Sequence, residues 1–207
     1  MLAFFPETLY CFAMKTIDPC PIIDAFYPGE SPLKTMLLVH SRQVCAKALA
    51  ILDLPENQVL ALDRELVRTG ALLHDIGIGR CHAPGIFCTG DLPYLAHGIA
   101  GAAMLRQYGR EHGLDLEAFA RIAERHTGSG LTREEIEREA LPLPPRDFLP
   151  ETPEEKLICL ADKFYSKSGD MQEKSMARVR QGMAKFGPAP LARFDALCQL
   201  FHWTANS

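Results

Sequence analysis

The sequence lacks the cysteine spacing of disulfide-stabilised and zinc-ribbon proteins. Its 207 residues include seven cysteines, at positions 11, 20, 45, 81, 88, 159 and 198. Their number is odd and no two are spaced as Cys-x-x-Cys, which argues against a disulfide framework and a structural zinc ribbon. A reducing compartment fits this cysteine usage, so we expect a cytoplasmic protein.

The sequence also lacks an apolar run of the roughly 20 residues that a membrane span needs. The first 15 residues are apolar, but Pro6 and Glu7 interrupt them and no basic segment precedes them, which makes a poor signal peptide. Met14 is a plausible alternative start. We therefore predict that residues 1–20 are an N-terminal extension and that the protein has no membrane partner.

The chain has no excess of basic residues. Its 22 Lys and Arg stand against 26 Asp and Glu, which gives a formal net charge of -4. A general nucleic-acid-binding protein normally carries a basic surface, so we expect no nucleic-acid partner. A small anionic substrate stays possible, because a bound metal supplies its own positive charge.

Strand patterns are almost absent, whereas helix signals recur. Hydrophobic residues at 47% and charged residues at 23% are ordinary for a globular protein, and the length suits one domain. We predict an all-α fold in which residues 21–207 form a single helical bundle. Ser31-Pro32, Thr132 with Glu135, and Thr152-Pro153 with Glu155 are typical helix starts. The predicted helices cover about 21–27, 31–52, 55–75, 93–108, 115–126, a short segment from 132, 152–165, 170–186 and 189–203, with a loop at 78–92; the last two helices are assigned to packing alone.

The central feature is the pair His74-Asp75 at the end of an apolar helix, in the stretch GALLHDIG. Adjacent helical residues point about 100° apart, yet both can reach one ion beside the helix end. Burying a carboxylate is costly unless it is paired or binds a metal. Taken alone, however, a His-Asp pair is weak evidence for a metal site, and ordinary hydrogen bonding at a helix end is the better interpretation.

Four further residues change the interpretation of that pair. His40, His97, His126 and Asp162 each lie on the core-facing side of a different predicted helix. Five helices would thus direct imidazole or carboxylate groups inward. Burying so many polar groups costs free energy unless they bind a ligand. Helical bundles build metal sites from side chains on facing helices in this way. Mixed imidazole and carboxylate ligands suit Fe, Mn, Zn or Ni. Cys81 and Cys88 lie nearby and are either additional ligands or small buried hydrophobic residues.

With these residues the sequence resembles the HD superfamily of metal-dependent phosphohydrolases. The matching stretches are LLVHSRQV, GALLHDIG and CLADKF, which contain His40, His74-Asp75 and Asp162, and the resemblance covers roughly residues 31–170. The resemblance implies an HD-domain bundle whose four motif residues converge on one metal ion.

Further stretches resemble particular HD proteins. LAHGIAGAAML and AERHTGSGLTREE look like the extra histidine positions of two-metal members. The region from ERHTGSGLT to RDFLPET is similar to small HDIG proteins of archaea and bacteria and, more loosely, to HD-type hydrolases of diadenosine tetraphosphate. The GYP element of the HD-GYP phosphodiesterases is missing.

The resemblance implies a mechanism. His40, His74, Asp75 and Asp162 would hold a first divalent transition metal, and His97 and His126 would help to hold a second, with Asp75 as the bridging catalytic ligand. One or two such ions would activate water to attack a small phosphorylated substrate, possibly a nucleotide. The predicted substrate-binding residues are Lys163, Lys167, Arg80 and His82.

Two other functions remain open at this point. A few HD-fold proteins use the same six ligands for a mixed-valent di-iron centre that oxidises a carbon-bearing substrate with O₂. The other alternative is a nucleotide-binding module without catalysis. The sequence leaves the substrate, the native metal and the oligomeric state undetermined.

Overall fold

The structure is a computed structural model that describes residues 16–204, and it is all-α as predicted. Its helices pack in one bundle, and the strands in this range are two residues long. The helices are α1 (Pro19–Phe26), α2 (Pro32–Leu52), α3 (Arg64–Leu73), α4 (His97–His112), α5 (Glu117–Arg125), α6 (Arg133–Arg138), α7 (Pro153–Asp162), α8 (Met176–Ala184) and α9 (Pro188–Leu200).

The helix starts predicted from side-chain caps are confirmed. The Ser31 hydroxyl accepts a hydrogen bond from the backbone N–H of Lys34 at 3.1 Å and caps α2. Full capping boxes open α6 and α7: Thr132 pairs with Glu135, and Thr152 pairs with Glu155. Each box satisfies two N–H groups that a helix end would otherwise leave unpaired.

The helix predicted from Pro55 starts later. Residues Pro55–Leu60 form a 3-10 helix that ends at Ala61, whose φ of 47° lies in the left-handed region. A second cap then opens α3, since the Asp63 carboxylate accepts from the N–H groups of Glu65 and Leu66. The carboxylate thus provides a better start than Pro55, and α3 runs from there directly into His74.

The predicted loop at 78–92 contains short regular elements. A small antiparallel hairpin consists of β1 (His82–Ala83) and β2 (Cys88–Thr89), in which His82 pairs with Thr89. One 3-10 turn, Ile78–Arg80, precedes the hairpin, and a second, Pro84–Ile86, connects its strands. A third 3-10 turn occupies Tyr94–Ala96, so α4 begins at His97 rather than near Pro93. His97 is therefore the first residue of its helix.

Two groups of buried apolar residues form the core, and α2 contributes to both. Leu37 packs with residues of α1, α4 and α5, while Val44 packs with residues of α3, α7 and α9. His40 lies between Leu37 and Val44 on this helix and is itself fully buried. The hydrophobic packing therefore carries an imidazole into the region where the two groups meet.

The structure describes only part of the predicted N-terminal extension. Helix α1 begins at Pro19, inside the last residues of the predicted extension, where Asp18 caps it. Residues 1–15, with the alternative start at Met14, lie outside the described residues. Within residues 16–204, none of the helices is both long and apolar enough to cross a membrane.

Candidate metal centre

Six side chains, here called the His/Asp centre, converge where five helices meet. Their placement has a common feature, because all except one stand at or next to a helix end. All six are buried. They are His40 within α2, His74 and Asp75 after α3, His97 at the start of α4, His126 after α5 and Asp162 at the end of α7.

Asp75 lies in the middle of the His/Asp centre, and its two carboxylate oxygens face different histidine pairs. Oδ2 lies 3.2 Å from Nε2 of His40 and 3.3 Å from Nε2 of His74. Oδ1 lies 3.4 Å from Nε2 of both His97 and His126. The carboxylate thus divides the histidines into two sets, which suits a ligand shared between two ions.

Asp162 completes the first of these sets. Its Oδ1 lies 2.9 Å from Nε2 of His40 and 3.5 Å from Nε2 of His74. Donor atoms of His40, His74 and Asp162 lie within 4.8 Å of one another, as do those of His74, Asp75 and His126. Both triads have the imidazole and carboxylate chemistry that divalent transition metals accept.

Backbone carbonyls fix the orientation of three of the imidazoles. Nδ1 of His74 lies 2.7 Å from the carbonyl O of Ala71, and Nδ1 of His126 lies 2.8 Å from that of Ala123. Nδ1 of His97 is likewise 2.7 Å from the carbonyl O of Tyr94. A carbonyl oxygen only accepts, so each Nδ1 carries a hydrogen and each Nε2 points at the centre, the orientation that metal-ligating histidines usually have.

Within the His/Asp centre, the contact between His97 and His126 is the strongest indication of a bound cation. Their Nε2 atoms are only 3.0 Å apart. Burial lowers the pKa of both imidazoles, to about 3 for His97, so both are neutral at physiological pH. With both Nδ1 atoms protonated, no hydrogen remains between the two Nε2 lone pairs, and their repulsion is relieved by a cation. The residues present therefore fit a divalent metal.

The carboxylates of the His/Asp centre are ionised despite their burial. Burial raises the pKa of Asp75, but Lys167 and His74 outweigh it and hold the pKa well below its usual value. Lys163 and Lys167 do the same for Asp162. Burial lowers the pKa of His74, yet Asp75 and Asp162 raise it to about 9, so a metal at His74 must displace a proton.

Two of the four predicted substrate-binding residues lie beside these carboxylates. Lys167 Nζ is 2.8 Å from Oδ2 of Asp75, and Lys163 Nζ is 2.8 Å from Oδ2 of Asp162. Lys163 also donates to the carbonyl O of His126 at 3.2 Å. Both ammonium groups thus reach the place where the charge of a substrate would arrive.

The sequence model of the HD domain family matches residues 37–166, a range that includes all six residues of the His/Asp centre. This chain belongs to the HD domain family. No solved structure matches it.

Curated relatives of this HD domain protein differ in how much of their length it covers. It is 44% identical over 142 residues to an uncharacterised protein of Methanocaldococcus jannaschii, which is 65% of this chain and 73% of the relative. It is 35% identical over 131 residues to a tRNA (cytidine(56)-2'-O)-methyltransferase of Picrophilus torridus, and 38% identical over 104 residues to that of Thermoplasma volcanium.

The methyltransferase matches are partial. They cover 63% and 50% of this chain, but only 32% and 25% of the two archaeal enzymes. Most of each methyltransferase therefore lies outside the region that matches this chain. Methyl transfer is therefore not assigned to the present HD domain.

A cleft of about 1140 Å³ opens above the His/Asp centre. Asp162, Lys163 and Lys167 line its inner end, and residues from the hairpin loop, from 127–131 and from α8 form its sides. A separate cavity of about 510 Å³, between Leu54 and His202, contains none of the predicted site residues. The larger cleft thus borders the His/Asp centre at Asp162.

Arg80 and His82 do not line the cleft, so their assignment to substrate binding is not supported by the geometry. Both are exposed. The His82 N–H donates to the carbonyl O of Leu92 at 2.8 Å, and the Leu92 N–H donates to that of Arg80 at 3.1 Å. These backbone bonds hold the segment against residues 90–92 and leave both side chains on the outer surface.

Cys81 and Cys88 behave as small buried residues. Their thiols contact the backbone carbonyls of Tyr94 and Ile86, respectively, at 3.8 and 3.5 Å. Burial raises the pKa of both, to about 11 for Cys88. A thiol needs a lowered pKa to act as a thiolate ligand or nucleophile, so the environment of neither cysteine favours such a role.

Sequence reasoning missed several residues of the cleft. The Tyr94 ring centroid lies 5.0 Å from that of His97, and the Tyr94 carbonyl orients that histidine. Lys174 and Arg178 line the cleft from a segment assigned to packing alone. The sequence signal for Tyr94 is its position three residues before a candidate ligand, the spacing at which a carbonyl reaches Nδ1 of the histidine.

Proposed function

We propose that this HD domain protein is a metal-dependent phosphohydrolase acting on a small phosphate ester or nucleotide. The observation that carries the proposal is the His97–His126 contact, in which two neutral imidazole nitrogens face each other at 3.0 Å beside an ionised carboxylate. This arrangement is unfavourable unless a cation joins it. Asp162 of the same centre lines a cleft, so a substrate bound in the cleft would lie next to such a cation.

The residues divide into two ligand sets. His40, His74 and Asp162 would hold one ion, and His97 and His126 the other, with one oxygen of Asp75 facing each set. A bound divalent metal supplies a Lewis acid for the phosphoryl oxygens and lowers the pKa of water toward about 7. The three carbonyl-bound Nδ1 groups keep the imidazoles in the orientation that this requires.

The two lysines are assigned to phosphate binding rather than to proton transfer. Burial lowers the pKa of Lys167, but Asp75 and Asp162 raise it above its ordinary value, so the ammonium keeps its proton. A general acid works best with a pKa near the operating pH. Lys167 therefore stabilises the charge of the substrate and of the transition state by electrostatic attraction. Lys163 is assigned to the same role because its ammonium group lies 2.8 Å from Asp162 at the cleft.

The dimensions of the cleft support a small-molecule substrate. Its volume of about 1140 Å³ is slightly above the range of small-molecule sites, roughly 300–1000 Å³. Apolar residues such as Ile86, Leu131 and Val179 share the lining with the lysines. A phosphate group joined to an organic portion fits this mixture.

The test is phosphate release from a panel of nucleotides and phosphate esters in the presence of Mn²⁺ or Fe²⁺. Wild type is compared with Asp75→Ala and with Asp91→Ala, an exposed aspartate that makes no ion pair within residues 16–204. We expect metal-dependent release in wild type and Asp91→Ala, and none in Asp75→Ala. The metal content of each protein is measured in parallel.

Two outcomes would overturn the proposal. Iron retained through purification, with O₂ consumption and no phosphate release, would identify a di-iron oxygenase on the same ligands. Tight nucleotide binding without turnover in the metal-loaded protein would identify a binding module. Equal release by wild type and Asp75→Ala would point to a contaminating phosphatase.

A further inference from the structure

The cleft is basic in a protein that is acidic as a whole. Six Lys or Arg residues line it against three Asp or Glu residues, while the chain carries a formal charge of -4. A cleft of one sign with low-dielectric walls concentrates ligands of the opposite charge. The charge around the cleft therefore indicates an anionic ligand independently of any metal.

All three acidic groups of the cleft already have partners. Asp162 is paired with Lys163 and His40. Glu135 accepts from Arg193 at 2.8 Å and Glu139 from Arg138 at 2.9 Å. Their negative charge is therefore balanced locally, and Lys167 is paired with Asp75. The cations of the cleft that are left without an acidic partner in the described part of the chain are Lys174, Arg178 and Lys185.

Lys174 and Arg178 are cations of the cleft without an acidic partner. Neither side chain makes an ion pair or a hydrogen bond within the described part of the chain. The acidic groups nearest to them in sequence and on the adjacent helix are occupied, since Glu173 pairs with Lys47 and Asp195 pairs with Arg180. The unpaired charges face the cleft rather than a neighbouring carboxylate.

The segment that carries these two residues is fixed in place. The Lys174 N–H donates to the carbonyl O of Phe164 at 2.8 Å, which closes the loop that begins just after Asp162. Gln43 donates from α2 to the carbonyl O of Met171 at 2.8 Å, and Ser175 caps α8 at the N–H of Arg178. The backbone that carries Lys174 and Arg178 is thus held in position before any ligand binds, so binding has to order only the two side chains.

Lys174 is unfavourably placed as a free cation. Burial lowers its pKa, and although Asp162 raises it, Lys163, Lys167 and Arg178 lower it further. Several ammonium and guanidinium groups therefore surround one end of the cleft. A bound anion with more than one negative charge would relieve their repulsion.

We propose that Lys174 and Arg178 form a second anion-binding subsite, which holds a phosphate of the substrate other than the one attacked at the His/Asp centre. This deepens the proposed function and rests on it. The substrate class that follows is an organic molecule with two or more phosphate groups, such as a nucleoside diphosphate or triphosphate. The exposed ring of Phe186, with Val179 and Met183 on the same side, offers an apolar surface for the organic part.

The test measures binding rather than turnover, so that failure of the hydrolase proposal stays distinguishable. Methylenediphosphonate and methylphosphonate, which have no P–O–P or ester bond to hydrolyse, are titrated calorimetrically into the metal-loaded protein. We expect wild type to bind the diphosphonate about tenfold more tightly than the monophosphonate, because the second phosphonate adds charge-assisted contacts that are weakened by solvent exposure.

The variants isolate the subsite. Lys174→Ala combined with Arg178→Ala should remove the preference for the diphosphonate and leave monophosphonate binding within about twofold of wild type. Lys174→Arg should retain most of the preference, because the charge is kept. The matched control is Arg110→Ala, an exposed arginine without an ion pair in the described residues and outside the cleft.

Three results would overturn the subsite. They are an unchanged preference in the double variant, an equal loss in Arg110→Ala, and no preference in wild type, including no binding of either probe. If the preference is present and depends on both residues but no phosphate is released from any substrate, the subsite stands and the hydrolase proposal fails. Thermal melting of each variant verifies that it is folded.

Discussion

The His/Asp centre and the α8 wall, defined as residues 174–187, meet in one cleft but are built in opposite ways. Asp75 and His74 are 0% exposed and each has several polar neighbours. Phe186 is 73% exposed, and Lys174 and Arg178 have no ion-pair partner within residues 16–204. Burial forces the charges of the centre to compensate one another, whereas the wall keeps its charges available.

Because of this contrast, substitutions in the two regions should have different consequences. Each group of the His/Asp centre is held by its neighbours, so the loss of one leaves a buried charge or lone pair unmatched. The α8 wall interacts mainly with whatever enters the cleft. Changes in the centre should therefore alter metal binding and folding, while changes in the wall should alter ligand binding alone.

The largest effect is expected for Asp162→Ala. The change removes the carboxylate that His40, His74 and Lys163 share. Because altering only the partners of a metal ligand costs about 10- to 100-fold, loss of the ligand should lower activity more than 100-fold and deplete bound metal. Elemental analysis and phosphate release check this, with Asp91→Ala as control, and full metal retention would contradict it.

A change at Gly77 should destabilise the protein strongly, because this residue brings the chain after Asp75 against α4. A Cβ there would lie 2.2 Å from both the backbone N of Gly101 and the carbonyl O of His97. We expect Gly77→Ala to lower the free energy of unfolding by about 3 kcal/mol, at the upper end of typical overpacking costs.

Gly85 provides the comparison for Gly77 in a urea titration. A Cβ at Gly85 meets nothing within 4 Å, and its backbone does not lie in the left-handed region. Gly85→Ala should therefore change the free energy of unfolding by less than about 0.5 kcal/mol. Equal stabilities of the two variants would show that the approach of the chain to α4 is looser than described.

An intermediate effect is expected at the cap of α7, the helix that carries Asp162. The Thr152 hydroxyl accepts from the N–H of Glu155 at 3.2 Å. Loss of such a cap costs about 1 kcal/mol, so Thr152→Ala should lower the free energy of unfolding by that amount while metal content stays unchanged. Chemical denaturation measures it against Thr89→Ala, and a loss of metal would show that the helix end controls the centre.

The smallest effect on folding is expected at Phe186 in the α8 wall. Because its side chain is largely exposed, Phe186→Ser should change the free energy of unfolding by less than about 0.5 kcal/mol. If the ring contacts the organic part of a substrate, KM should rise for nucleotides and stay constant for inorganic pyrophosphate. A large drop in the melting temperature of Phe186→Ser would show that the α8 wall contributes to folding as the His/Asp centre does.

Several helix starts were predictable from the sequence because residues close to each start determine them. The capped starts at Ser31, Thr132 and Thr152 follow from side chains within three residues of the N–H groups they bind. The start predicted at Pro55 was wrong, because Asp63 caps α3 later. Both start signals are local, but the Asp63 carboxylate binds two N–H groups, whereas no side chain caps the turn that begins at Pro55.

The loop after the HD pair was harder to interpret. Arg80 and His82 are close in sequence to Asp75, and proximity in sequence suggested proximity in space. The hairpin and its backbone bonds to Leu92 turn both side chains outward instead. Lys174 and Arg178, about a hundred residues away along the chain, reach the same cleft as Lys167.

The sequence by itself determined the all-α fold, the capped helix starts and the six residues of the His/Asp centre as candidates. The physical reason is that polar groups at core-facing helical positions are costly, so their pattern indicates a shared ligand. Only the tertiary structure decided which oxygen of Asp75 faces which histidines and which cations surround the cleft. Those relations join residues far apart in sequence, and exposed charges follow no periodicity that reveals where they point.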